Sequence, residues 1–128
     1  MDRGEEILTQ LNSICFKENI KLASVSAIGA TSDFTVGVFN TAIKKYIANT
    51  FAGDDYEIVS LTGTVTTKDG KVYPHLHMSA AGEGGIMVGG HLTCATVSVT
   101  CEMVIDVIDG VVERQLDENI GINFLKFD

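Results

Sequence analysis

The apolar positions change period once along the chain. Between Asp2 and Asn19, Ile7, Leu8, Leu11, Ile14 and Cys15 recur at i, i+1, i+4, i+7 and i+8, the apolar stripe of an amphipathic helix. Asp2 stands where a helix cap would, and Glu5 three residues on completes a capping-box-like arrangement. Such a helix must cover a sheet to be stable. From Lys21 onward the period is two. Leu22 to Ile28, Phe34 to Phe39 and Ile43 to Phe51 alternate as strands, and Ala52-Gly53-Asp54-Asp55 reads as a turn by composition. Tyr56 to Thr67 carries apolar residues on both faces, the pattern of a central strand. Lys68-Asp69-Gly70-Lys71 then predicts a tight hairpin, with Val72 to Ala80 returning antiparallel. Gly82 to Gly85 turns the chain into a short strand, Ile86 to Thr93. In the long run from Ala95 to Asp109, Val97, Val99, Cys101, Met103, Ile105 and Val107 line one face. A second hairpin is expected at Asp109-Gly110, returning through Val111 to Leu116, before a last apolar segment, Ile120 to Leu125.

One helix followed by seven to nine strands with short connections is an α+β pattern, a helix on a largely antiparallel sheet. The absence of βαβ units argues against a doubly wound nucleotide-binding fold. At 128 residues the chain fits one domain, 1–128, with no linker or repeat. No run approaches the ~20 apolar residues that cross a bilayer, and no signal-peptide pattern opens the chain. The expectation is a cytoplasmic protein whose Cys15, Cys94 and Cys101, lacking CxxC spacing, are buried free thiols. Charge narrows the partners further. Nine basic residues against seventeen acidic ones leave a net −8. Nucleic-acid affinity comes mainly from Lys and Arg on phosphates, and the one basic pair here is Lys44-Lys45, so direct nucleic-acid binding is disfavoured.

The chemistry of the chain concentrates between Pro74 and His91, which holds all three histidines. His75 and His77 are two apart, and a strand points such residues to one face. The Gly-rich turn brings His91 back toward them. Three convergent imidazoles suit a divalent metal, zinc first. Three histidines with a fourth position open would also suit metal-dependent catalysis, which needs a nearby base. Glu57 and Glu83 are the candidates, and structural or solvated roles fit both better, so no catalytic residue is assigned. The glycines do not make a phosphate loop, because no Lys-Ser/Thr follows and no helix begins. Cys94 lies three residues from His91, which on a strand is the opposite face, so it reads as a core thiol. Ser79 has no nucleophile-elbow context.

Four separated motifs carry a family resemblance. Asp2-Arg3-Gly4-Glu5-Glu6-Ile7-Leu8, Ala27-Ile28-Gly29-Ala30, Tyr56-Glu57-Ile58-Val59-Ser60-Leu61-Thr62-Gly63 and Val88-Gly89-Gly90-His91-Leu92 resemble the plant and prokaryote conserved (PPC) domain, in its stand-alone prokaryotic form. The resemblance implies an α+β domain assembling as a homotrimer, in a family often labelled DNA-binding. It also implies a strand ahead of the helix, which has no counterpart before Met1-Asp2. Plant members carry Gly-Arg-Phe-Glu-Ile-Leu where this chain has Asp54-Asp55-Tyr56-Glu57-Ile58-Val59, so Glu57 matches while the basic residue is replaced by an acid. Plant members lack the three histidines, which prokaryotic members share, and this chain has no AT-hook.

The expectation is therefore a homotrimeric metal-binding or regulatory module for a small-molecule or protein partner, with symmetric sites near subunit interfaces. A metal-dependent enzyme and a DNA-associated regulatory protein are the alternatives. Apolar residues on both faces of several strands, more than one helix can cover, support an oligomer independently.

Overall fold

In the computed structural model, residues 1–127 are described. The helix, α1, spans Ile7–Lys17. Four long strands follow, β1 (Ala23–Asn40), β2 (Lys45–Lys68), β3 (Lys71–Ala81) and β4 (Met87–Val107), then a short pair, β5 (Arg114–Asp117) and β6 (Ile122–Leu125). The long strands pair antiparallel in the order β1-β2-β3-β4 and close into a barrel through β4 on β1. β5 and β6 form a separate two-stranded sheet. The architecture is α+β and largely antiparallel, as the periodicity predicts.

The helix begins later than its pattern suggests. Its cap is Glu6, whose carboxylate accepts from the Leu8 and Thr9 amides at 3.1 and 2.7 Å. Asp2 does not cap it, although the Asp2 amide does donate to Glu5 Oε2 at 2.7 Å. The first six residues instead run beside β4, with the Gly4 amide donating to Val97 O and the Val97 amide to Glu5 O. Ile7, Leu11 and Cys15 are fully buried, and the helix packs against β3 and β4. Those two strands pair only over His77–Ala81 and Met87–His91, so α1 covers the region where they part.

Six strands replace the expected seven to nine because bulges, rather than turns, interrupt the alternation. Gly53, Asp54 and Asp55 stand opposite Ser32 alone, since Asp33 pairs with Ala52 and Thr31 with Tyr56. The predicted turn is thus an excursion within one strand. In β4, Val97 pairs with Thr31 and Cys101 with Gly29, so two extra residues loop outward and Val99 is 68% exposed. This breaks the apolar face expected from Val97 to Val107. A further irregularity, with Thr35 on Cys94 and Val36 on Leu92, turns Cys94 outward. Cys15 and Cys101 are buried as expected, and Cys94 is exposed.

The Asp69-Gly70 hairpin is confirmed: Lys68 pairs with Lys71, and both central residues have positive φ, 52° and 72°, as a type I′ turn requires. The Asp109-Gly110 hairpin is not formed. The chain leaves β4, Glu113 makes a parallel bridge to Thr67, and β5 pairs with β6.

Phe34, Val36, Leu61, Val65, Leu76 and Val97 are among the core side chains of the barrel, each at most 1% exposed. The Phe34 ring stacks on Phe51 at 4.9 Å and meets Tyr56 edge-on at 5.0 Å. The end of the β1–β2 hairpin reaches beyond this core. Every residue from 41 to 50 is exposed, with Val38, Ile43 and Ile47 between 49% and 65%.

Candidate metal centre

β3 alternates strictly at its centre. Leu76 and Met78 point into the core, at 1% and 3% exposure, which sends His75 and His77 to the outer face. On β4, Leu92 is buried and His91 faces outward, directly opposite His77 in the ladder. The predicted convergence of the three histidines is therefore produced by the strand pairing. Their ring centroids lie 5.1 to 5.7 Å apart, and one ring nitrogen from each falls within 4.8 Å of the others. A zinc ion bound at about 2.1 Å holds ligand nitrogens roughly 3.4 Å apart, so modest ring rotations would bring all three into range.

Glycines on the flanking ladders let β2 lie close to β3 and β1 close to β4 around the centre. A Cβ at Gly63 would stand 2.0 Å from His75 O, and one at Gly90 would stand 2.6 Å from Gly37 O. Neither strand could lie where it does with a side chain there.

The surroundings favour neutral, ligating imidazoles. Burial, then the nearby Arg114 charge, then the other two imidazoles hold His75 far below the ordinary histidine value, at about 4. Burial and the neighbouring His77 also lower His91. His91 stacks on Tyr46, with centroids 4.6 Å apart, and its Nδ1 is buried with no hydrogen-bond partner. A buried acceptor left unpaired is costly, and a metal ion or an outer-sphere ligand would satisfy it. The donor set and this orphaned nitrogen both fit a metal.

The other candidates lie elsewhere. Glu57 is exposed and pairs with Ala30 and Ala81, four residues along β3 from His77, or about 13 Å. Glu83 is exposed in the single-turn 3-10 helix Glu83–Gly85. Among the described residues no carboxylate or thiol joins the histidine group.

Several residues around the centre were not anticipated. Tyr46 comes from the start of β2. Arg114 comes from β5, is 7% exposed, and donates from Nε to Thr66 Oγ1 at 2.8 Å and from Nη1 to Asn123 O at 3.0 Å. Tyr73 lies beneath its guanidinium at 5.0 Å. Tyr46 carries no local signal, because the ring it stacks on is supplied by another strand. Arg114 carried one: it and Arg3 are the two arginines of the chain.

The profile of the Plants and Prokaryotes Conserved (PCC) domain matches residues 1–109. The chain belongs to this family. Among solved structures, a plant- and prokaryote-conserved (PPC) protein from Pyrococcus horikoshii is 32% identical, with a TM-score of 0.90 over 100% of this chain and 89% of its own. A metal-containing protein from Archaeoglobus fulgidus is 31% identical, with a TM-score of 0.92 over 99% of this chain and 89% of its own. A protein from Bacteroides thetaiotaomicron, provisionally described as DNA-binding, is 29% identical, with a TM-score of 0.95 over 99% and 88%. No functionally curated protein matches the chain. Within the PCC family, then, this chain resembles both a protein described by its metal and one described by DNA. Arg114 lies beyond the matched segment.

Proposed function

We propose that this PCC-domain chain is a homotrimeric binding module that holds a divalent metal, zinc first, on His75, His77 and His91. The observation that carries the reading is the convergence of three ring nitrogens within 4.8 Å. The metal-containing relative supports it. Three imidazoles leave a fourth position for water or a ligand, so the bound ion would supply Lewis acidity and an exchangeable site. With no carboxylate in the group among the described residues, a binding or regulatory role fits better than hydrolysis.

Trimer formation would cover apolar surface that the single chain leaves open, including Val38, Ile43 and Ile47 on the β1–β2 arm and Ile28, Val59 and Val104 on the barrel face, all at least 48% exposed. The three unpaired cysteines fit the reducing cytoplasm. No helix among the described residues is long and apolar enough to cross a membrane. A DNA-associated role, suggested by the Bacteroides relative, meets the −8 charge and is disfavoured by it. The absence of a gel shift at low salt would dispose of that role.

Elemental analysis of the purified protein beside the His75→Ala/His77→Ala variant tests the site. The expected result is metal near one ion per chain, lost in the variant while the oligomer persists. Protein that stays metal-free after zinc addition and dialysis would sink the reading. Sedimentation should report about 41 kDa, three times the 13.7 kDa chain; a monomer would remove the trimer.

A further inference from the structure

Arg114 is the one buried charged side chain among the described residues, and no carboxylate among them lies within 4.0 Å of it. Its guanidinium meets neutral groups among the described residues: Thr66 Oγ1, Asn123 O, Thr64 Oγ1 and the Tyr73 ring. A buried, uncompensated cation is expensive, so the absence of a counter-charge calls for an explanation.

The guanidinium is aimed along β2. Nε meets Thr66, which pairs with Tyr73, and Nη2 reaches toward Thr64 Oγ1 at 3.4 Å. Thr64 pairs with His75, so the forked end of Arg114 arrives at the row that carries the first histidine. Of five guanidinium N–H groups, three are used, and the Thr64 bond is long. One N–H on each Nη remains. A divalent ion on three neutral imidazoles would add two positive charges beside this one.

We infer that the histidine centre takes a small oxyanion of the carboxylate or phosphate class, one oxygen on the metal and another on the Nη groups of Arg114. The inference rests on the metal reading above. It supplies the missing negative charge for both cations and assigns Arg114 to ligand recognition, where planar two-point hydrogen bonding to carboxylate or phosphate is its characteristic use.

Zinc-loaded, 15N-labelled protein provides the test. With two arginines in the chain, the Arg114 Nε–H signal is distinguishable from that of exposed Arg3. Titration with acetate or with inorganic phosphate should move the Arg114 signal and leave Arg3 in place, with chloride inert. The acetate and phosphate arms decide between the two anion classes. In Arg114→Gln, anion affinity followed by the visible spectrum of the cobalt-loaded protein should fall about 10- to 100-fold, with Arg114→Lys intermediate and cobalt content unchanged. If Arg114→Gln does not fold, the wild-type titration still decides. Zinc bound with neither anion moving the Arg114 signal would overturn this inference alone. Failure to bind zinc would overturn the metal reading and this inference together.

Discussion

Gly63 offers a way to disturb the metal centre without touching a ligand. It pairs with Leu76, between the two histidines of β3. Adding one methyl group in Gly63→Ala places a Cβ 2.0 Å from His75 O and 2.8 Å from Leu76 Cα, both backbone atoms. Relief to ordinary contact requires the strands to separate by more than about 1 Å at this rung, where sheet strands normally lie about 4.8 Å apart. A ladder hydrogen bond of about 2.9 Å does not survive that displacement. One or two lost bonds at about 1 kcal/mol each, with overpacking of about 1–3 kcal/mol, give a destabilisation of roughly 2–5 kcal/mol. For a domain of this size that corresponds to a Tm lower by roughly 7–19 °C. His75 moves with the strand, and its ring must already rotate to reach zinc, so zinc affinity should fall at least about tenfold, comparable to losing a supporting contact of a metal ligand. Gly70→Ala is the control. Its φ of 72° strains any side chain, but nothing lies within 4 Å of its Cβ, so it should cost about 1–2 kcal/mol and leave zinc binding unchanged. Thermal melts and competitive zinc titration of both variants decide the matter. A Gly63→Ala protein with wild-type Tm would refute the packing argument. One that melts early yet binds zinc normally would refute the link between this rung and the site.

Other outcomes follow from the same geometry. His75 titrates near 4 in the folded chain against an ordinary value of 6.5, so the unfolded chain takes up its proton first as pH falls. Its contribution to the stability of metal-free protein is therefore complete above pH 6.5 and lost progressively between there and about pH 4; a Tm independent of pH across that window would contradict the burial of His75. Tyr46→Leu removes the ring stacked on His91 and should release that imidazole, raising the His91 pKa toward its ordinary value in an NMR titration; an unchanged pKa would show that the stack does not bury it. Phe34→Ala empties a 1% exposed site between two aromatic rings and should cost about 3–5 kcal/mol in chemical denaturation; a cost under 1 kcal/mol would mean the cavity collapses.

The histidine centre was legible because its elements are local. A period of two places His75 and His77 on one face, and the Gly-rich return places His91 within one hairpin of them. The ring around it was not legible. Tyr46 reaches His91 and Arg114 reaches the His75 row only through non-local packing, and a residue's own neighbours in sequence say nothing about that. Cys94 failed for a related reason. The facing rule that made it a core thiol assumes an unbroken ladder, and the irregularity beside Thr35 reverses it.

What the residues determined alone was the kind of each element: helix from the spacing of Ile7, Leu11 and Cys15, hairpin from Asp69-Gly70, and a histidine pair on one strand face from the i, i+2 spacing of His75 and His77. These follow from short-range sterics and from the burial of one face, which act within a few residues. Where strands end and bulge was decided by tertiary structure. Gly53-Asp54-Asp55 has the composition of a turn and serves as a bulge, because β1 continues alongside it and its pairing holds the strand together. Asp109-Gly110 has the composition of a hairpin and makes none. At the end of β4 the Ile108 amide is taken by Leu22 O, and the following segment finds its partners on β2 and β6. A turn signal permits a reversal, but backbone hydrogen bonds must be satisfied over the whole sheet, and closure of the barrel selects which reversals occur.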